Sequence, residues 1–246
     1  MEALDQGGNV ELRAENLREY PITYTLKVRT RDLRVDGPKT ITRTLAPRQN
    51  ESVMFLTRLH ADREGTYRYS IDWTVGDKDA KHDDDHLYAL PYAGGKSYRV
   101  VQGYGSRFSH TGFEEFAIDF EMPTGTSVHA ARGGVVARVE ESNNIGCWKD
   151  GCGEYANYIV ILHSDGTTGE YYHLMQNGAL VEVGDHVVQG QRIGRSGNTG
   201  HTTIPHLHFA VYRAADWGNT QSIPVRFRSV GGIIDRPRRG ARYQAM

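Results

Sequence analysis

Apolar and polar residues alternate one for one over two long stretches near the start of the chain. Ile22, Tyr24, Leu26 and Val28 alternate with Thr23, Thr25 and Lys27, and Tyr67, Tyr69, Ile71, Trp73 and Val75 alternate just as strictly with polar partners. A period of two places every second side chain on the same face of an extended chain. That pattern can bury one face of a strand and cannot form the stripe of a helix. Val53 and Phe55 mark a further strand. Turn material (Asp36-Gly37-Pro38, Gly65, Gly76-Asp77) separates the runs at sandwich-like spacing. Residues 1–92 are therefore expected to form an antiparallel β-sandwich-like accessory domain, which carries no evident chemistry.

The chain has 246 residues, enough for two modest domains, each with a real core. A hydrophobic fraction of 38% is too high for a disordered chain, and the 28 glycines show no three-residue period. The 29 basic and 30 acidic residues nearly cancel, so nothing global points to nucleic acid as a partner. No stretch approaches the ~18 uninterrupted apolar residues of a membrane span. Residues 91–96 read as a linker. Beyond them glycine becomes frequent, and seven of the eleven histidines lie between His129 and His208. Short strand runs recur at 116–120, 135–139, 158–162, 169–173 and 208–212, again without a helical period. The whole chain is thus expected to be all-β, with a second, Gly-rich β-sheet domain over 93–246.

Several features have plain readings. Cys147 and Cys152 are too far apart for a C-x-x-C redox pair and have no second pair with which to hold zinc. They are expected to close a local disulfide, which would place the protein in an oxidising compartment. His82 and His86 flank Asp83, Asp84 and Asp85; such a run reads as a solvated loop rather than an ion site. The arginines of 226–242 read as a solvated basic tail. The first residues show neither the basic nor the apolar region of an export signal.

Four segments could carry chemistry. In His206-Leu207-His208, leading into Phe209-Ala210-Val211-Tyr212, a strand would project both imidazoles from one face. Asp119 lies in an otherwise apolar run, Ala117-Ile118-Asp119-Phe120, where a carboxylate needs a cation or strong donors. His110 precedes it, and His173 ends the run Glu170-Tyr171-Tyr172-His173. Two histidines and a carboxylate around an open fourth position make a catalytic zinc arrangement, with two histidines left over.

From about residue 98 to 212 the sequence resembles the lysostaphin-type (LytM-like) zinc endopeptidases of bacterial cell walls. The matching stretches are Phe108-Ser109-His110, Ala117-Ile118-Asp119-Phe120, Met122-Pro123-Thr124-Gly125-Thr126-Ser127-Val128, and Ala130-Ala131-Arg132-Gly133-Gly134-Val135-Val136. Tyr172-His173-Leu174, Gly184-Asp185, Gly194-Arg195-Ser196-Gly197-Asn198-Thr199-Gly200 and Pro205-His206-Leu207-His208-Phe209 complete the series in the family's order.

The resemblance implies one zinc ion held by His110, Asp119 and His208, with His173 and His206 as the catalytic, non-ligand histidines. It implies a groove walled by Gly-rich turns, a peptidoglycan stem or crosslink peptide as substrate, and export to the periplasm or cell exterior. The family's commonest spacing leaves three residues between the first histidine and the aspartate, whereas eight intervene here, and Glu115 occupies the usual position. Glu115 as ligand would give a harder, oxygen-richer site. His129, His163, His186 and His201 match no metal position and read as surface or satisfied residues, with His201 placed to line the groove. Tyr171 and Tyr172 alternate faces, one toward the core and one toward substrate. The competing readings are a silent module that activates another cell-wall hydrolase, and a proenzyme whose N-terminal domain covers the groove. Wall docking or contact with a partner protein are further roles open to that domain.

Overall fold

The computed structural model describes residues 1–246; half of them are in strands, and the helical content is two single-turn 3-10 segments, Gly112–Glu114 and Cys152–Tyr155. The chain divides into two compact units: Met1–Asp79 with Ala214–Thr220, and Ala80–Arg213 with Gln221–Met246. No helix is long and apolar enough to cross a membrane.

In the first unit, one sheet orders Glu2–Gln6, Asn9–Glu15, Asn50–Arg58 and Leu33–Val35; the other orders Thr40–Leu45, Ile22–Arg31 and Thr66–Val75. Leu12, Ala14 and Leu56 from one sheet share a core with Tyr24, Leu26 and Val28 from the other, as a sandwich requires. Each fully buried Leu or Val adds roughly 1.5–3 kcal/mol of apolar transfer energy. Two details depart from the alternating pattern. Thr23 and Thr25, expected to face water, are buried. Their hydroxyls pair with Thr44 at 3.0 Å and Thr42 at 2.8 Å, and Thr25 Oγ1 accepts the Trp217 N–H at 2.8 Å. A turn far along the chain thus covers a face that local periodicity assigns to solvent. Conversely, Tyr69, Ile71 and Trp73 are 38–40% exposed. Thr66–Val75 is an edge strand with a single neighbour, so its apolar stripe is only partly covered.

The second unit is built on a large antiparallel sheet. In spatial order it runs His186–Val187, Gly134–Glu140, Tyr158–Leu162, Thr168–Tyr172, Leu207–Ala214, Ile118–Phe120, Ser97–Gln102 and Arg242–Gln244. Ile118, Phe120, Ile159, Ile161, Tyr171, Phe209 and Val211 are almost wholly buried in one core. The arginine-rich 226–242 stretch is not a solvated tail. Arg226–Ser229 pairs with Gly232–Ile234 and runs parallel to Leu87–Ala89, while Arg242–Gln244 extends the large sheet. Phe227 and Ile234 are buried between the arginines, which alternation turns outward. The linker-like 91–96 segment is also anchored: Tyr92 is buried and its hydroxyl donates to the Tyr243 carbonyl at 2.7 Å.

The His82–His86 run is only half solvated. Asp83, Asp84 and Asp85 are exposed, but His82 contacts Asp84 at 2.8 Å and the Tyr88 hydroxyl at 3.1 Å, and His86 meets the Tyr88 ring edge-on. Nearby, Arg132 donates to Asp165 at 2.6 Å, and His163 is buried with Nδ1 on the Thr167 hydroxyl. Burial, then the Arg132 charge, pushes the His163 imidazole down to about 3. Its folded value lies below the unfolded one near 6.5, so this neutral imidazole favours folding above pH ~6.5 and loses that contribution as pH falls toward 3. The thermal midpoint of the wild type is expected to drop more steeply between pH 6.5 and 4 than that of His163→Leu. Parallel slopes in the two melts would contradict the assignment.

Candidate metal centre and groove

Strand register assembles the site. Asp119 faces His208 across the ladder, as Ile118 faces Phe209 and Phe120 faces Leu207. On its other side Asp119 faces Gln102, and beyond His208 stands Tyr172. Because faces alternate, the apolar members fill the core while Gln102, Asp119 and His208 form a row on the opposite face, lining a cavity of about 390 Å³. His110 comes from the loop before the Gly112–Glu114 turn. Its Nε2 lies 3.2 Å from Asp119 Oδ1, and His208 Nδ1 lies 2.9 Å from the same oxygen. The potential ligand atoms of the three residues lie within 4.8 Å of one another.

These residues fit a divalent ion. His110 Nδ1 faces the Gly103 carbonyl at 3.3 Å, which leaves Nε2 aimed at Asp119; that atom is buried without a hydrogen bond. A buried lone pair facing a carboxylate is costly unless a cation lies between them. Burial by itself would raise the Asp119 carboxyl, but its contacts with His110 and then His208 outweigh this and hold it well below the usual range. Burial opposes charge on His208 too, yet its bonds to Asp119 and Glu114 raise it to about 10. The Asp119 carboxylate thus lies between two imidazoles, and a cation that displaced the His208 proton would meet the nitrogen and oxygen donors that suit zinc.

Behind His208, its Nε2 lies 3.4 Å from Glu114 and 3.3 Å from the Tyr212 hydroxyl, which itself donates to Glu114. Gln102 Nε2 donates to Asp119 Oδ2 at 2.6 Å. This outer layer of Glu114, Tyr212 and Gln102 escaped the sequence reading, because nothing local separates Glu114 from Glu115. Glu115 is exposed and outside the three-residue group. Such outer contacts fix the tautomer and orientation of a ligating imidazole.

The two remaining histidines line the same cavity. His206 Nδ1 donates to the Ile204 carbonyl at 2.7 Å, and His173 Nδ1 donates to the Thr199 carbonyl at 2.7 Å. Both are therefore held with Nε2 free to accept, and their rings are 4.5 Å apart. Burial lowers both; for His173 it acts with the neighbouring His206 to bring the imidazole down to about 3. His173 adopts a left-handed backbone, φ 65°, a strained choice for a non-glycine residue that aims its ring into the groove. Gly197 bridges to His206, and a Cβ there would lie 2.3 Å from the Met175 nitrogen, so only glycine fits.

Tyr171 turns to the core and Tyr172 toward Glu170, 6.0 Å from the His208 ring. His201 lines the groove, His186 is exposed, and His129 contacts the Gly190 carbonyl. An aromatic shelf completes the lining: Phe108 stacks on Trp148 at 5.1 Å, and Trp148 lies 4.1 Å from the His201 ring. Trp148 is held by the Cys147–Cys152 disulfide and by the pairing of Gly146 and Cys147 with Gly200 and His201. Reduction is expected to lower stability by about 2 kcal/mol, the loop-closure value for so short a ring, and to shift Trp148 fluorescence. Identical urea unfolding curves with and without reductant would exclude that role.

Residues 114–223 match the model of peptidase family M23. This part of the chain is an M23 domain of the lysostaphin type. The M23 domain is 42% identical over 91 residues to the peptidoglycan DD-endopeptidase ShyA of Vibrio cholerae, covering 37% of this chain and 18% of that protein. The chain is 33% identical over 138 residues to lysostaphin of Staphylococcus simulans, covering 55% of this chain and 26% of that protein. The chain thus spans well under half the length of these relatives. Among solved structures, the catalytic domain of the antimicrobial peptidase lysostaphin from Staphylococcus simulans is similar at 32% identity, with a TM-score of 0.39, covering 51% of this chain and 88% of that one.

Proposed function

We propose that the protein is a zinc-dependent endopeptidase that hydrolyses peptide bonds in the stems or crosslinks of peptidoglycan. The observation that carries this reading is the convergence of His110, Asp119 and His208 on one buried point, beside two imidazoles with free Nε2 atoms. The names of the M23 relatives, a peptidoglycan DD-endopeptidase and lysostaphin, agree with it. A silent regulatory module is not favoured, since every ligand and both auxiliary histidines are present. Export to an oxidising compartment is supported by the Cys147–Cys152 disulfide.

His110, Asp119 and His208 would hold the ion, and when bound it supplies Lewis-acid polarisation of a carbonyl and acidifies water. The rest falls to side chains. The neutral Nε2 of His206 or His173 takes the proton of the attacking water and, as imidazolium, returns it to the departing amine. The other ring, once its own Nε2 carries a proton, donates to the carbonyl oxygen as negative charge develops there. Backbone carbonyls at Ile204 and Thr199 hold Nδ1 of both rings, so that Nε2 is the atom each ring turns to the substrate.

The test is metal content by mass spectrometry of the purified protein, with digestion of isolated peptidoglycan before and after chelation. One equivalent of zinc, and muropeptide products lost on chelation and restored by zinc, are expected. Products unaffected by complete metal removal would refute the reading.

A further inference from the structure

Arg239 lines the same cavity as His110, Asp119 and His208. Two carboxylates share that lining, and both are engaged: Asp119 by Gln102, His110 and His208, and Glu114 by Tyr212 and His208. Arg239, by contrast, has no acid and no hydrogen-bond partner, and it is the only arginine or lysine in the lining.

Its backbone is nonetheless clamped. The Gly240 N–H donates to the Val100 carbonyl at 2.8 Å, the Val100 N–H to Ala241 at 2.9 Å, and the Ala241 N–H to Arg238 at 3.1 Å. The 237–239 backbone also passes so close to Gly103 that a Cβ there would lie 2.3 Å from the Pro237 oxygen and 3.5 Å from the Arg239 nitrogen. Gly103 directly follows Gln102, the residue that bonds Asp119. The backbone that carries the arginine is thereby fixed against the strand that supports the metal-binding carboxylate. The Arg239 side chain is exposed and unpartnered where it lines the cavity, and a planar guanidinium so placed is suited to bidentate capture of a carboxylate. The exposed Phe108–Trp148 shelf in the same groove supplies apolar surface for the aliphatic part of such a ligand.

We propose that Arg239 binds a carboxylate of the peptide substrate, so that the groove prefers a crosslink made through a diamino acid with a free carboxylate beside its bridging amine over a neutral glycine bridge. This rests on the reading of the groove as a peptide-hydrolysing site and adds its substrate class. Arg238, on the same turn but lining a different cavity, has no such role.

The test uses two synthetic crosslinked peptides, identical except that the bridging meso-diaminopimelate bears a carboxylate in one and a carboxamide in the other. Binding is measured by calorimetry on the metal-free protein, and hydrolysis on the zinc-loaded protein. The wild type and Arg238→Gln are expected to favour the carboxylate about 10- to 100-fold in both measurements, the scale of a charged hydrogen-bonded pair. In Arg239→Gln the ratio should fall to near one, and Arg239→Lys should keep part of it. Equal treatment of both peptides by the wild type, or a preference that survives in Arg239→Gln, overturns the proposal while leaving peptide hydrolysis standing. Selective, Arg239-dependent binding with neither peptide cut keeps the carboxylate site and sinks the hydrolytic reading. A wild type that neither binds nor cuts either peptide sinks both.

Discussion

His206→Ala is expected to lower kcat by about 10²- to 10⁴-fold, the usual contribution of a positioned proton acceptor, while the protein keeps its full equivalent of zinc. The geometry separates the two effects. His206 Nε2 lies 3.8 Å from Asp119 and outside the three-residue group, so its removal leaves the ligand atoms in place. His173→Ala should behave alike, since its ring neighbours His206 at 4.5 Å and is anchored in the same way. The double variant should be little worse than either single one, because residues that act as a unit in one catalytic step are not additive. Turnover and metal content measured on the same preparations give the answer. Wild-type turnover in His206→Ala would show that the proton goes elsewhere; loss of zinc would make it a ligand.

Asp119→Ala should do the opposite, abolishing both zinc uptake and turnover. It removes the only carboxylate of the group and leaves two buried imidazoles with no anion between them. Removing one partner of a buried charged cluster is severe because the remaining polar groups stay desolvated. His208→Ala should match it. Glu114→Gln offers a graded comparison: it alters the contact behind His208 without touching the ligand atoms, and should weaken zinc binding about 10- to 100-fold. Competition with a chromophoric chelator measures all three. Stoichiometric zinc in Asp119→Ala would end the assignment.

Much of this molecule was legible in its residues. Period-two patterning determines strands, because an extended chain must show alternate side chains to opposite faces. The pattern of Tyr24, Leu26 and Val28 therefore located a core face, and the short distance between Cys147 and Cys152 located a disulfide. Asp119 announced itself as a carboxylate among apolar residues, and His206 and His208 as neighbours on one side of a strand.

What local pattern could not decide depends on pairing between distant segments. The register that sets Asp119 opposite His208 joins residues 89 apart in sequence, and no single stretch encodes it. Glu114 and Glu115 are indistinguishable as letters; only the tertiary path turns one toward His208 and leaves the other in water. The arginines of 226–242 looked like a tail because their charges dominate the composition, yet the buried Phe227 and Ile234 between them fold the segment onto the sheet. That folding is also what brings Arg239 to the groove. The sequence alone determined which residues could bind metal and move protons, since those are properties of side-chain chemistry. Which of them meet was decided by strand register and chain path, because contact energy depends on positions in space that only the assembled sheets define.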